Sequence, residues 1–153
     1  MDQPTSKPRA RVFKYAKPEL TTRKTMVKLA RTDRMLAYVQ VLNSGGENNL
    51  HSHGHLDGFW MVLKGRARFY GDGDQLIADL GPHEGIMVPR NFRYWFESSS
   101  SETLELLQIE AADVSMPEDR QILEDRKDHS AQKVRIGTSD IAFVDARADV
   151  EGN

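Results

Sequence analysis

Short apolar segments follow one another through the middle of this chain, with turn-forming residues between them every 8–12 residues. That spacing constrains the fold more than any other feature, because it is the rhythm of an all-β sandwich or barrel. "KTMVKLAR" (24–31) and "MLAYVQVL" (35–42) are split by the polar "TDR", and the first is also compatible with a helical turn. "NSGGENN" (43–49) is a turn cluster, followed by the extended "NLHSH". "GFWMVLKG" (58–65), "RARFYG" (66–71), "QLIADL" (75–80), "GIMVP" (85–89), "RYWFES" (93–98) and "TLELLQIE" (103–110) complete about nine predicted strands, with "DGD" (72–74) as a hairpin turn.

At 153 residues the chain has room for one domain with a sizeable core. The predicted organisation is a basic N-terminal arm over 1–22, a barrel over 23–112 and an acidic, polar C-terminal arm over 113–153. Residues 1–34 hold ten Lys and Arg against three acids, and the remainder holds eleven against twenty. The arm is therefore expected to lie on the acidic body of its own or a partner subunit, in a homodimer. No nucleic-acid motif accompanies the charge, so no nucleic-acid partner is expected. In the C-terminal arm, Ser115 precedes Glu118 by three residues with Pro117 between, which predicts one short helix. No run of about 18 apolar residues is present, so no membrane partner is expected. The first twenty residues carry no apolar core of a secretory signal. Cysteine is absent, which removes disulfides and thiolate chemistry and fits a cytoplasmic location.

Chemistry concentrates in "HSHGH" (51–55). On a strand, side chains at i and i+2 share a face, so His51 and His53 point together, about 7 Å apart along the backbone. Two imidazoles so placed can converge on one transition-metal ion. The alternative is a pair of half-exposed strand residues. His55 continues the row only if the strand runs through Gly54, where a bend is expected, so His55 belongs at the rim. By the same alternation Trp60, Val62, Tyr94 and Phe96 share an inward face with Gly58, as an aromatic substrate pocket (Trp60, Phe96) or as core filling. Asp72 and Asp74 read as turn residues, His83 as solvent-facing, His129 as part of a polar tail, and Ser98–Ser101 as a loop without a base.

Residues 45–65, "GGENNLHSHGHLDGFWMVLKG", resemble the first conserved motif of the cupin superfamily, with Gly45, His51, His53 and Gly65 in register. "HEGIMVPRNFRYWFES" (83–98) resembles the second motif, though only Pro89 is kept. Asn91 stands at a family glycine, a mild exchange because asparagine tolerates positive φ. The resemblance spans residues 25–110. It implies a cupin-type double-stranded β-helix, or jelly-roll barrel, holding a metal or small-molecule site and often forming dimers. The family's glutamate falls at Gly58 and its second-motif histidine at Tyr94. What is left implies one divalent transition metal ion (Fe, Mn, Zn or Ni) on His51, His53 and one of Tyr94, Asp57 or His55, with water completing the shell and Tyr94 or His55 moving protons.

Three functions are compatible with these residues. One is a metal-dependent cupin enzyme, for example an oxygenase, acting on a small organic molecule. Another is a non-catalytic small-molecule-binding cupin. The third is a metal-free sugar-type isomerase or epimerase using histidine and tyrosine as base and acid.

Overall fold

A computed structural model describes residues 7–43, 47–113, 115–117, 120–123 and 141–146. The described chain is all β. Strands β1 (Lys24–Arg31), β2 (Met35–Leu42), β3 (His51–His53), β4 (Leu56–Lys64), β5 (Ala67–Tyr70), β6 (Leu76–Leu80), β7 (Gly85–Val88), β8 (Trp95–Ser98) and β9 (Leu104–Ala112) fall on the nine predicted segments. Two further strands, β10 (Arg120–Ile122) and β11 (Ile141–Asp145), come from the C-terminal arm. The predicted helix over this arm is corrected here. Arg120–Ile122 is extended because its backbone pairs antiparallel with His51–His53, which the local capping signature could not report. Glu118 and His129 lie outside the described residues.

The strands stack as two layers. One is a six-stranded sheet in the order β11-β1-β2-β9-β4-β7. The other combines β6-β5-β8 with β10-β3. These two parts are joined where His51 and Tyr94 exchange backbone hydrogen bonds of 3.1 and 3.0 Å. Between the layers lies the main core, with Leu42, Trp60, Val62, Leu104 and Leu106 from the large sheet against Phe69, Tyr94 and Phe96 from the small one. Alternation explains the assignment, since Leu104 and Leu106 face inward at i and i+2 and pair with Leu42 and Val62.

The outer face of the large sheet is also covered in part. Val27, Val39 and Val41 are buried beneath Tyr15 and Leu20 of the basic arm. The Tyr15 hydroxyl donates to Glu105, a buried carboxylate on the outward face of β9. Thus the described part of the arm, residues 7–22, is anchored on its own chain. Among the described residues no helix is long and apolar enough to cross a membrane.

Gly65 ends β4 with a φ of +85°, and a Cβ there would sit 3.0 Å from the Thr103 carbonyl oxygen. Gly73, in the β5–β6 turn, has a φ of +62° with open space around it. Gly65→Ala is therefore expected to cost about 2 kcal/mol or more, and Gly73→Ala about 1 kcal/mol from backbone strain alone. Urea unfolding of the two variants checks the ordering, and equal costs would contradict it.

Candidate functional site

Asn49 sets the orientation of His51. Its carbonyl oxygen, which only accepts, lies 2.7 Å from His51 Nδ1, so Nδ1 carries the proton and Nε2 keeps a lone pair. No described protein group hydrogen-bonds Nε2. The residue is 3% exposed. Burial lowers its pKa to about 3 against the opposing pull of the Asn49 bond, and the positive charges of Arg120 and Lys24 lower it further. His51 is therefore neutral at physiological pH. His53 follows on the same face, as the alternation predicts, with its ring 5.0 Å away and nearly perpendicular.

Tyr94 meets His51 from the strand pairing just described, ring to ring at 4.5 Å. Its side chain is buried, and its hydroxyl makes no hydrogen bond to a described residue. Burial, and then the charge of Glu110, push the phenol above its ordinary value, so Tyr94 stays protonated.

These three side chains line a cavity of about 230 Å³ between the two layers. The cavity begins where the inward face of β9 changes character, from Leu104 and Leu106 to Gln108 and Glu110. The Trp60 indole is shared between cavity and core, packing on Phe96 at 5.2 Å and Phe69 at 5.7 Å. A side chain at Gly58 would start 3.1 Å from the Trp60 indole nitrogen, so Trp60 occupies the space that a glutamate at 58 would enter. A carboxylate on the next strand, Glu110, lies opposite Gly58 in the β4–β9 ladder and lines the cavity. Lys24, 6% exposed, and Arg120 add two cations to the wall.

Of the sequence-predicted site residues, His51, His53, Tyr94 and Trp60 come together. Three do not, and each is a correction. Asp57 alternates outward on β4, is exposed, and accepts a 2.8 Å hydrogen bond from the Arg90 backbone. His55 sits in the bend after β3, with its ring 6.1 Å from His53, and does not line the cavity. Phe96 is wholly buried core beneath the cavity residues, with the Lys24 ammonium 5.5 Å above its ring. Sequence reading missed Lys24, Gln40, Gln108, Glu110 and Arg120. Parity along β9 could have found Gln108 and Glu110, polar residues continuing an apolar inward series. Nothing local could have found Arg120.

The donor set does not fit a resident metal ion. Among the described residues no three His, Asp or Glu side chains gather closely enough to hold one. Of the sequence-predicted ligands, His51, His53 and Tyr94 line the cavity and Asp57 faces away.

No family model matches the sequence, and no curated protein does. Solved structures do. A conserved protein with a double-stranded β-helix domain from Klebsiella pneumoniae superposes with a TM-score of 0.61 at 17% identity, covering 76% of this chain and 100% of that one. A cupin superfamily protein from Desulfitobacterium hafniense gives 0.54 at 23% identity over 64% of this chain and 84% of that one. An RmlC-like cupin protein from Desulfovibrio desulfuricans gives 0.51 at 21% identity over 58% and 82%.

A neutral buried histidine has a measurable consequence. Its value is about 3 when folded and 6.5 ordinarily, so between these values the unfolded chain binds more protons. Its contribution to stability is complete above about pH 6.5 and is lost as pH falls toward 3, by up to about 1.4 kcal/mol per unit. Between pH 7 and pH 5 the wild type is expected to lose about 2 kcal/mol more than His51→Gln. Denaturant titrations at the two pH values check this, and parallel losses would refute it.

Proposed function

For a chain with the cupin double-stranded β-helix fold, we propose proton-transfer chemistry on a small carbonyl compound, carried out without a metal ion. One observation carries the reading. In one cavity the unprotonated Nε2 of His51 and the unengaged, protonated hydroxyl of Tyr94 stand side by side, with rings 4.5 Å apart. His51 Nε2 takes the proton from the carbon beside the substrate carbonyl. Tyr94 donates a hydrogen bond to the carbonyl oxygen and stabilises the charge that forms there. Return of the proton from His51 to the neighbouring carbon, with shift of the hydroxyl proton, gives an isomer. The electrons balance within the substrate, so no oxidant is involved. A base as weak as His51 depends on that polarisation, which makes the two residues one unit.

Metal-dependent chemistry, including an oxygenase, is the other reading. His51 and His53 support it as an H-x-H pair in a shared wall, but the described site lacks a third ligand. The tests separate the readings. In D2O, a panel of three- to six-carbon hydroxy-ketones and hydroxy-aldehydes is followed by NMR for deuterium uptake at carbon. Protein-dependent uptake is expected, unchanged after dialysis against EDTA and reduced at least about 100-fold in His51→Gln and Tyr94→Phe. Activity lost to EDTA and restored by a divalent metal would overturn the metal-free reading. Stoichiometric binding without uptake in any case would overturn catalysis.

A further inference from the structure

The strand that carries His51 and His53 has a partner on each flank. On one side His51 opposes Tyr94 through the isolated bridge, and on the other His53 opposes Arg120 in the β3–β10 ladder. Directly opposed residues of antiparallel strands project to the same face. Arg120 therefore belongs to the face that carries the two imidazoles and the phenol, and it lines the same cavity.

Its side chain leans back along β3 toward His51. Nη2 donates to Asn49 Oδ1 at 3.3 Å, on the residue whose backbone carbonyl fixes the His51 ring. Electrostatics agrees with this placement, since the charge of Arg120 acts on both His51 and Tyr94 and lowers the pKa of each.

The guanidinium has five N–H donors in a planar fork. Among the described residues the Asn49 amide is its side-chain hydrogen-bond partner, and no described carboxylate pairs with it. The residue is exposed, so a solute entering the cavity can reach it. Lys24 is the other cation on the wall, but it is 6% exposed and its ammonium lies 5.5 Å over the ring of the core residue Phe96. The Glu110 carboxylate lines the cavity from β9, and its charge acts on Tyr94 in the opposite sense to that of Arg120. Charges of opposite sign on the walls of one chamber orient a ligand that carries a single anionic group. A volume of about 230 Å³ restricts that ligand to a few carbons.

We propose that Arg120 anchors the substrate through an anionic group, a carboxylate or a phosphate, so that the compound turned over is a small anionic hydroxy-ketone. It lies across β3 with the anion on the guanidinium, the carbonyl oxygen on the Tyr94 hydroxyl and the carbon that loses its proton beside His51 Nε2. This rests on the proton-transfer reading above and names its substrate class. Arg120 acts by binding and takes no part in the proton transfer.

Three three-carbon compounds test this on the full chain. Dihydroxyacetone is neutral, hydroxypyruvate carries a carboxylate and dihydroxyacetone phosphate carries a phosphate. Dissociation constants come from NMR titration of the protein, and exchange rates from deuterium uptake. At least one anionic compound is expected to bind about tenfold or more tighter than dihydroxyacetone, a charge-assisted pair being worth at least that factor. Which of the two binds tighter identifies the anion. Arg120→Gln is expected to bring that ratio to within about threefold, through KM rather than kcat in the exchange assay, and Arg120→Lys to restore part of it. Arg68→Gln removes the same charge from a surface pair with Asp79 and is expected to leave the ratio unmoved. An equal loss for all three compounds in Arg120→Gln would mark a structural role through Asn49 and overturn the inference. A ratio lowered as much by Arg68→Gln, or dihydroxyacetone binding as tightly as both anions, would also overturn it. Anion preference that is lost in Arg120→Gln, without uptake on any compound, would leave the anchor standing and remove the catalytic reading. Uptake on dihydroxyacetone without anion preference would do the reverse.

Discussion

The pair of backbone hydrogen bonds between His51 and Tyr94 is the constraint on which the site depends. It is one isolated bridge, yet it joins two small sheets into a single layer. Directly opposed residues in an antiparallel pair bring their side chains to the same face. The bridge that closes the layer therefore also sets the imidazole of one strand against the phenol of another. Asn91 supports it from the next turn, with a φ of +66° and its N–H donating to the His53 carbonyl at 2.7 Å. Asn91 thus holds the left-handed conformation that asparagine tolerates better than most residues.

β9 shows how one strand serves three environments. Its inward Leu104 and Leu106 belong to the core, its inward Gln108 and Glu110 to the cavity, and its outward Glu105 receives the hydroxyl of Tyr15. As a central strand with partners on both sides it has no edge freedom, so these positions are held by the ladder itself. Polar groups placed there are reliable points of attachment. Gly58 fits this picture. Trp60 fills the space beside it, and a carboxylate facing the cavity comes from the neighbouring strand.

Strand positions, turns and the inward face of β4 were legible from alternation, because a half-buried strand writes its burial into every second residue. The inward orientation of His51, His53, Trp60 and Tyr94 was therefore legible. Asp57 and His55 do not line the cavity, for different reasons. Asp57 obeys the strict alternation of β4 and faces out, and His55 falls in the bend expected at Gly54, between two strands. Phe96 had the right parity but lies deeper than the cavity wall, and depth along the barrel has no period in sequence.

The sequence by itself determined the all-β class, the approximate places of nine strands and the presence of a histidine pair on one face, since these follow from local periodicity and turn chemistry. Only the tertiary structure decided what stands opposite that pair. Arg120, about seventy residues away, reaches it through an antiparallel ladder, and Tyr94 reaches it through a bridge. Glu110 reaches the place opposite Gly58 through strand register. Such pairings are chosen by burial of the whole core, which is a sum over distant residues and leaves no local mark.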